Sequence, residues 1–476
     1  MYSAVSIFQK GIAFLLLPLY THYLTPDDYG ILSVITAVSG LLVILFTLSL
    51  NGAMTRFYFE YRDDPKALKE CWGTILTLIL TLSMVFGILL LMTGNIILRP
   101  LIGGIPFWPF VAIGVCITMF QPFFTIFLSL LQIQEKVNEY AVYSVAQFFL
   151  NLLLVITLVI YFHMGALGAL VASLITAVVF FAVSLYAIRS NFQICLIKTH
   201  VKAALAYSLP LVPHSVTGQI MSVTDRILLN YKIGTATAGL YNIGFTLGSV
   251  LGVIADSVNR AYVPASMEAL QTENADYIKE LSKIGMALVG LYCLAGSFLS
   301  IFSREVVQWT TTKAFHESYV VIPYVVFAFI LNGVYYLFVN ILFFVKGKTK
   351  YVAIGTAVGA AANVALNLLL IPGYKMVGSA IATLLAQLLS TIVVAVIGAK
   401  FDPVKWGYFR MGSLVALCLA VSVIVANFGA TSISLVLTKL LIFTVLCFIT
   451  GFVITGDLLG FPRMGLGLAR RYLEPK

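Results

Sequence analysis

The segment NLLLVITLVIYFHMGALGALVASLIT at 151–176 returns in altered form as NLLLIPGYKMVGSAIATLLAQ at 367–387. Both copies begin with Asn-Leu-Leu-Leu, pass a short breaker and continue in a Gly-rich pattern in which Gly168 matches Gly378. The copies are offset by 216 residues at the asparagine (367 against 151) and by 210 at the glycine (378 against 168), so one small gap aligns them. This internal repeat predicts a duplicated bundle.

The composition of the chain indicates that its solvent is a lipid bilayer. With 61% hydrophobic residues, 10% charged residues and a mean hydropathy of +1.01, the chain has too little polar surface for a water-soluble globule. A spanning helix needs roughly 20 apolar residues, and we count about 14 such runs. The predicted fold is an all-α polytopic membrane protein with two pseudo-symmetric six-helix lobes around a central cavity and two extra C-terminal helices. Two similar halves around a path are typical of alternating-access transporters.

The repeat also predicts how the chain divides. We expect an N-lobe of helices 1–6 at 1–203, a C-lobe of helices 7–12 at 204–400, and helices 13–14 with a basic tail at 401–476. Thr25 aligns with Thr235 and Gly30 with Gly239, so the first and seventh spans are equivalent. The seventh span begins before the position that matches Met1, and we therefore expect the native chain to start upstream of Met1.

The distribution of charge predicts the orientation. Most of the 29 Lys and Arg residues lie in loops on one face. The loops of the other face hold Arg99, Lys232, Arg304, Lys313, Lys375 and Lys439. Because Lys and Arg near span ends resist translocation, the basic face and both termini are predicted to be cytoplasmic. Topology thus explains the net charge of +10, and the short, scattered basic stretches do not indicate nucleic-acid binding.

A few ionisable residues fall within or at the ends of predicted spans. Each such group costs roughly 2.5 to 3.5 kcal/mol on insertion scales, so its presence is a functional hypothesis by default. The cationic candidates for substrate binding in the cavity are Lys10, Arg56, Arg226 and Arg260. The candidates for binding a coupling ion or lining a polar cavity are Asp225, Asp256 and His214.

Each charged candidate also has a structural interpretation, which the sequence leaves open. Lys10 can snorkel to the interface, and Arg56 and Arg260 can be ordinary cytoplasmic anchors. Asp256 and Arg260 are four residues apart and can neutralise each other on one helix face. Arg226 can meet the outer headgroups instead of a substrate.

Three prolines are candidate gating hinges. Pro18, Pro210 and Pro213 remove backbone hydrogen bonds at corresponding ends of spans one and seven, where a helix can bend with little new penalty. His214 follows directly and can take a proton, or can simply bond to the freed carbonyl groups. We hypothesise that these two helices gate the cavity.

The polar faces of spans five and eleven repeat as well. Gln147 and Asn151 correspond to Asn363 and Asn367, and each pair lies on one face of its helix. Packing between helices explains these amides better than contact with a sugar. The substrate path is instead predicted along spans one and two against seven and eight, where the two copies differ most in charge.

Three motifs carry a family resemblance: PLYTHYLTPDDYG at 18–30, SLPLVPHSVTGQIMSVTDRILLNY at 208–231 and IPGYKMVGSAIATLLA at 371–386. Together they resemble the polysaccharide transporter family, which includes the Wzx-type O-antigen and capsule repeat-unit flippases, within the superfamily of MATE exporters and the lipid II flippase MurJ. The resemblance implies a flippase that moves an undecaprenyl-diphosphate-linked oligosaccharide across the cytoplasmic (inner) membrane. In MurJ-like relatives helices 13 and 14 form a lipid-tail groove; here a lipid-facing appendage fits the sequence equally well.

The expected partners follow from that resemblance. They are the lipid-linked oligosaccharide (an O-antigen, capsule or exopolysaccharide repeat unit), membrane lipids, and the glycan polymerase and glycosyltransferases of the same pathway; we expect a monomer. No cofactor or metal is predicted. Coupling to H⁺ or Na⁺ stays open.

Two other functions compete with the flippase. A MATE-like cation-coupled exporter of small molecules needs membrane carboxylates, but Asp225 and Asp256 each have an arginine nearby, which disfavours cation export. A membrane glycan polymerase or glycosyltransferase needs acid/base or metal-binding groups, and the sequence contains neither HExxH nor DxD. Turn and capping roles explain the acidic pairs at 27–28 and 63–64. We therefore predict a transporter and not an enzyme.

Overall fold

The computed structural model describes Gly11, 16–189, 193–271, 275–345, Lys348, 350–428 and 433–455. Within these ranges the chain forms helices and turns, with no strand. The chain divides into two compact units, Met1–Asn242 and Ile243–Lys476. The lobe boundaries at 203 and 400 derive from the repeat and remain a prediction.

The helices are labelled in chain order. Those that lie in or begin in the first unit are α1 (Leu17–Tyr23), α2 (Pro26–Thr47), α3 (Leu50–Tyr61), α4 (Pro65–Ile97), α5 (Ala112–Ile133), α6 (Val137–Val155), α7 (Gly165–Ile188), α8 (Lys198–Ser208), α9 (Val212–Lys232) and α10 (Thr235–Gly248). Those of the second unit are α11 (Val250–Gln271), α12 (Ala275–Ile301), α13 (Ser303–Thr310), α14 (Ile322–Phe344), α15 (Lys350–Gly398), α16 (Tyr408–Ala426) and α17 (Ile433–Thr455).

Eleven helical segments of the described residues are long and apolar enough to cross a membrane. One of them, α15, contains two predicted spans, because its 49 residues are interrupted at Lys375 (φ 49°, ψ −129°). Ser390 Oγ donates to the carbonyl oxygen of Gly355 at 3.1 Å, so the two arms of α15 lie side by side as a hairpin. The other two predicted spans, at α1 and α9, are not among the eleven. The all-helical membrane architecture is confirmed, and the count of 14 stays a prediction.

The repeated segment forms the same close helix contact in each unit. A side chain at Gly168 would press on the carbonyl group of Leu158, and one at Gly378 would press on that of Leu370. The glycine therefore allows the second helix of each hairpin to approach the end of the first. Asn367 continues this contact, because its Oδ1 accepts a hydrogen bond from Ser379 Oγ at 2.6 Å.

Asn151 makes the corresponding contact in the first unit, where its Nδ2 donates to Thr176 Oγ1 at 3.4 Å. In the second unit, Asn367 Nδ2 also donates to the backbone oxygen of Asn363 at 2.9 Å. The bonds of Asn151 to Thr176 and of Asn367 to Ser379 join neighbouring helices and support the prediction that these amides serve helix packing, whereas the Asn367–Asn363 bond lies within one helix.

The equivalent starts of α2 and α10 meet each other directly. A Cβ atom at Gly30 would clash with the carbonyl oxygen of Thr235, and one at Gly239 would clash with that of Pro26. Thr235 Oγ1 also donates a hydrogen bond to Asp27. Two positions that the repeat makes equivalent thus contact each other within the first unit.

One residue of each acidic pair, Asp28 and Asp64, caps a helix as predicted. Thr25 and Asp28 form a reciprocal capping box at the start of α2. Asp64 accepts from the backbone amides of Lys66 and Ala67 at 3.1 and 3.0 Å at the start of α4.

The second unit is built around one largely buried helix, α14. α14 packs against α11, α12 and α15, and it is largely buried along its length. α16 and α17 pack on α12. The prediction that Lys439 lies in an outer loop is wrong: it lies within α17, fully buried, and its ammonium group donates to both carboxylate oxygens of Glu305 in α13 at 2.8 and 3.0 Å. A buried carboxylate stabilises the charge that a membrane helix would otherwise exclude.

Candidate functional site

The polar helix α9 carries most of the predicted site of the first unit. A 3₁₀ turn, Leu209–Leu211, separates it from α8, and this turn contains Pro210. Pro213 lies in the first turn of α9, where its missing N–H costs no helical hydrogen bond. The helix is therefore interrupted where the sequence suggests a hinge, although a gating role is not tested by this geometry.

One face of α9 carries polar side chains and a glycine with open space beside it. His214, Gly218 and Ser222 are exposed, and Arg226 follows on the same face at four-residue spacing. A side chain added at Gly218 would meet nothing within 4 Å. We call these four residues the α9 polar face. The opposite face of α9 packs against α2.

Asp225 and Arg226 form one connected network toward the C-terminal end of α9. Asp225 is 1% exposed, and its Oδ2 accepts a hydrogen bond from Tyr241 Oη at 2.6 Å. Arg226 Nη1 lies 3.2 Å from Asp225 Oδ1, and its Nε donates to Asn242 Oδ1 at 3.0 Å. Arg226 Nη1 also donates to the backbone oxygen of Ser222 at 2.5 Å.

The side chains of Asp225 and Arg226 contact each other, although the two residues are adjacent on one helix. Neighbouring Cβ atoms on a helix point about 100° apart, but the long arginine side chain curls back onto the carboxylate. The Arg226 side chain is only 12% exposed, so most of it is not available to outer headgroups. The two charges compensate each other inside the first unit.

Arg56 lies on α3 and is exposed. Its guanidinium carbon is 4.9 Å from the centre of the Tyr207 ring on α8, a cation–π distance. Its Nε is 3.9 Å from Glu60 Oε2, and both side chains are about half exposed, so this ion pair is weak. Ser49 and Ser215, whose hydroxyl oxygens are 3.2 Å apart, connect the start of α3 to α9. Arg56 thus remains open to an anionic ligand.

The second unit holds the other two charged candidates on α11. Asp256 and Arg260 are both exposed, and no ion pair between described residues joins them. Asp256 Oδ1 instead accepts from Tyr336 Oη on α14 at 2.5 Å. One turn along, Asn340 Nδ2 donates to Asn259 Oδ1 at 2.9 Å. The predicted intrahelical pair is therefore replaced by bonds between α11 and α14.

Two candidates are described only in part or not at all. Lys10 lies outside the described residues. Pro18 is exposed in the first turn of α1, which begins at Leu17. Of the sequence candidates, the structure brings together Asp225 and Arg226, whereas Arg56 and His214 lie on neighbouring elements of the same unit without a recorded bond between them.

The residues that sequence reasoning missed are the neutral partners of the carboxylates. Tyr241 and Asn242 hold Asp225 and Arg226, and Tyr336 holds Asp256. A tyrosine or asparagine within an apolar span was the available signal, because a polar group in a membrane helix needs a hydrogen-bond partner. Which carboxylate it would reach depends on the helix packing and cannot be read from spacing.

Comparison with known proteins gives one family and one fold. A family model described as "Polysaccharide biosynthesis protein" matches residues 1–270. The chain is 24% identical over 370 residues to "Lsg locus putative protein 1" of Haemophilus influenzae, which covers 75% of this chain and 88% of that protein. It is 25% identical over 355 residues to an "Uncharacterized membrane protein" of the same organism, covering 72% and 82%.

Solved transporter structures share the fold. A structure of the lipid II flippase MurJ in an inward closed conformation matches with a TM-score of 0.73 at 15% identity, covering 96% of this chain and 99% of that one. An inward-facing multidrug resistance MATE transporter matches with a TM-score of 0.59 at 15% identity, covering 86% and 95%. With its apolar helices and a family model matching more than half of its length, the chain is a multi-pass membrane protein that belongs to the polysaccharide biosynthesis protein family.

Proposed function

We propose that this protein is a flippase that translocates an undecaprenyl-diphosphate-linked oligosaccharide across the cytoplasmic membrane by alternating access, with both termini in the cytoplasm. The observation that carries the proposal is the family match over residues 1–270, because that region contains α3, α9 and the whole α9 polar face. The likeness to the flippase MurJ over 96% of the chain supports it.

The charges fit an anionic lipid-linked substrate. Its apolar tail can stay in the bilayer, so only the diphosphate and the sugar need a polar path. Arg56 and Arg260 are exposed arginines, and arginine binds phosphate oxygens in a bidentate manner. We assign them to diphosphate contact in their respective units. Arg226, already bonded to Asp225 and Asn242, is assigned to shaping the α9 polar face.

The contact between α2 and α10 is the proposed outer closure of the path. Gly30 and Gly239 let the two helix starts meet, and Pro18, Pro210 and Pro213 are the proposed hinges of the adjoining helices. The variant Asp27→Cys/Thr235→Cys, whose parent side chains are hydrogen-bonded, should crosslink under oxidation and stop flipping. Each single cysteine variant is the control. Unchanged transport by the crosslinked protein would remove this closure from the mechanism.

The decisive test is deletion of the gene followed by lipid analysis of each leaflet. A flippase deletion should accumulate lipid-linked oligosaccharide in the cytoplasmic leaflet, and surface glycan should fall. Re-expression of the wild-type chain should restore both. Normal surface glycan and no accumulated intermediate would contradict the proposal.

A MATE-like exporter is the second candidate function. The MATE fold match over 86% of the chain and the buried carboxylate of Asp225 favour it. An exporter deletion should change sensitivity to cationic compounds while leaving the lipid-linked oligosaccharide unchanged. Proton or sodium coupling through Asp225, Asp256 or His214 is compatible with either function, and imposed H⁺ and Na⁺ gradients in proteoliposomes would distinguish the ions.

A further inference from the structure

A cavity of about 920 Å³ lies in the second unit, away from the charged candidates on α11. It opens where three spanning helices have an end in common: near the start of α12, at the start of α16 and at the last residues of α17. Ser282 and Met286 come from α12, and Ile454 and Thr455 come from α17. Its volume is in the range of about 300 to 1,000 Å³ that small-molecule sites occupy.

The polar side of this cavity is cationic. Lys283, Lys405 and Arg410 line it, all three are exposed, and none of the described lining residues is acidic. The first turn of α16, which begins at Tyr408, adds backbone amide groups and the positive end of a helix dipole. The chemistry on this side suits a phosphate group.

The other side of the cavity is apolar and aromatic. Met286, Trp406 and Ile454 line it, and Phe409 beside them is 88% exposed. Tyr408, which also lines the cavity, is 44% exposed, and a tyrosine at the end of a spanning helix is typical of a membrane interface. A ligand that satisfies both sides has a phosphate head and an apolar body, which is the chemistry of a lipid.

The wall formed by 402–407 is held in place before any ligand binds. Ser282 Oγ donates to the backbone oxygen of Lys405 at 2.8 Å. The Trp406 indole donates a hydrogen bond to Asp402, and its ring packs edge-on to Phe338 at 5.9 Å. Gly285 leaves room for the same ring, because a side chain there would clash with it. A preformed wall reduces the entropy that a ligand loses on binding.

We propose that this cavity is a binding site for the phosphate headgroup of an anionic lipid in the leaflet that faces the basic loops. Basic pockets between transmembrane helices on the cytoplasmic side bind the headgroups of multiply charged lipids. The same chemistry has two sources: a bulk phospholipid such as cardiolipin, or a polyprenyl phosphate. The site lies away from the residues of the transport path proposed above, and only its polyprenyl source rests on the proposed function.

Native mass spectrometry of the purified full chain tests the site, with cardiolipin, undecaprenyl phosphate and phosphatidylcholine as probes. The variant Lys283→Gln/Lys405→Gln/Arg410→Gln removes the three cations. Each Lys or Arg near an anionic lipid surface contributes about fivefold in affinity, so we expect at least a tenfold loss for the two phosphate lipids with little change for phosphatidylcholine.

The matched control is Arg62→Gln/Lys66→Gln/Lys69→Gln, which removes three exposed cations at or just before the start of α4, on the membrane face predicted to be the same, none of which lines this cavity. It should change lipid affinity less than twofold. Equal losses in both triple variants, or none in the cavity variant, would overturn the site. A second variant, Met286→Trp, keeps every charge and narrows the cavity at its apolar wall, and it should also weaken binding at unchanged thermal stability.

Competition between the lipid probes shows whether the site prefers a bulk phospholipid or a polyprenyl phosphate. Preference for cardiolipin indicates a bulk phospholipid, and preference for undecaprenyl phosphate indicates the glycan carrier; either result supports the site. Inorganic pyrophosphate that binds as tightly as both lipids would overturn the assignment to a lipid.

Discussion

Two carboxylate–cation pairs, one in each unit, are buried to similar extents but are built differently. Asp225 and Arg226 are neighbours on one helix; Asp225 also bonds to Tyr241, and Arg226 to Asn242. Glu305 and Lys439 come from different helices, α13 and α17, and their side chains are 8% and 0% exposed. The first pair adjoins the exposed α9 polar face, whereas the second is enclosed by packed helices.

Because the two pairs are built differently, we interpret the Asp225–Arg226 pair as functional and the Glu305–Lys439 pair as structural. A pair that joins two elements fixes the position of one against the other, and here Lys439 fixes α17 to the helix that follows α12. The salt bridge of the first pair lies within one helix, and it is the neutral partners Tyr241 and Asn242 that connect α9 to α10. The two charges of the first pair at membrane depth therefore call for another explanation. We assign the first pair to the path and the second to the attachment of the last helix.

The largest expected effect is on the second pair. Lys439→Ala leaves Glu305 buried without its cation, and breaking a buried pair in this way costs about 3 to 5 kcal/mol. The measurement is the thermal unfolding of the protein in detergent, which should occur at a clearly lower temperature.

The matched control for that change is the double variant Glu305→Gln/Lys439→Met. Replacing a buried ion pair by neutral groups is often nearly neutral, so most of the lost stability should return, and flipping per folded molecule should be normal. A double variant as unstable as Lys439→Ala would show that packing, not charge, is responsible.

The next effect is on the first pair and on transport. Arg226→Glu places two carboxylates together, which removes charge-assisted bonds of about 1.5 to 3 kcal/mol each and adds repulsion. We expect the flipping rate in proteoliposomes to fall at least tenfold, the rate change that about 1.4 kcal/mol produces.

Arg62→Glu serves as the control for this reversal, because it makes the same charge change on an exposed loop residue and should leave flipping intact. Lys10→Glu should lower flipping as Arg226→Glu does. Equal rates in the three variants would remove these cations from the path.

A smaller effect is expected for Tyr241→Phe. It removes only the hydroxyl group that donates to Asp225 Oδ2 at 2.6 Å, while Arg226 still compensates the carboxylate. The loss should be about 1.5 to 3 kcal/mol in unfolding free energy, the range for one hydrogen bond to a charged group. If instead Tyr241→Phe stops flipping as fully as Arg226→Glu, the hydroxyl group itself acts in transport.

The smallest effect concerns a half-buried carboxylate outside the spans, whose bonded partners are neutral. Asp402 accepts from the Val404 amide at 2.8 Å and from the Trp406 indole, and burial raises its pKa to about 6 against the lowering effect of these bonds. Folding therefore favours the protonated form. Its contribution to stability is complete below the ordinary pKa of 3.8 and is lost as the pH rises through about 6.

The measurement is the unfolding temperature of the wild type and of Asp402→Asn between pH 4 and pH 7. The wild type should lose stability relative to the variant across that range. Because solvent screens a half-buried group, we expect a shift below those of the buried pairs. Parallel curves would show that Asp402 keeps an ordinary pKa.

The repeat and the hydropathy pattern predicted the all-helical membrane fold because both depend on composition and period. Gly168 with Gly378, and Asn151 with Asn367, have the packing roles that their equivalence suggested. The capping roles of Asp28 and Asp64 were also predictable, since a cap acts on its own helix.

The contacts between helices were not predictable in the same way. Lys439 was assigned to the outer face from the distribution of charge, and only the folded structure reveals Glu305 as its partner. Asp256 bonds to Tyr336, 80 residues away, instead of the arginine four residues on. Spacing along the sequence shows which residues can come close on one helix. The packing of different helices determines which of them form a bond.

Gly30 and Gly239 limit which substitutions this sequence can accept. Each glycine is required by the backbone of the other copy, namely by the carbonyl groups of Thr235 and Pro26. After duplication, most positions of the two halves were free to diverge, as the mismatch of Asp225 with Leu15 illustrates. These two were not, since a larger residue in either half displaces the other half's helix. At these two positions each copy of the repeat therefore limits which residues the other copy can accept.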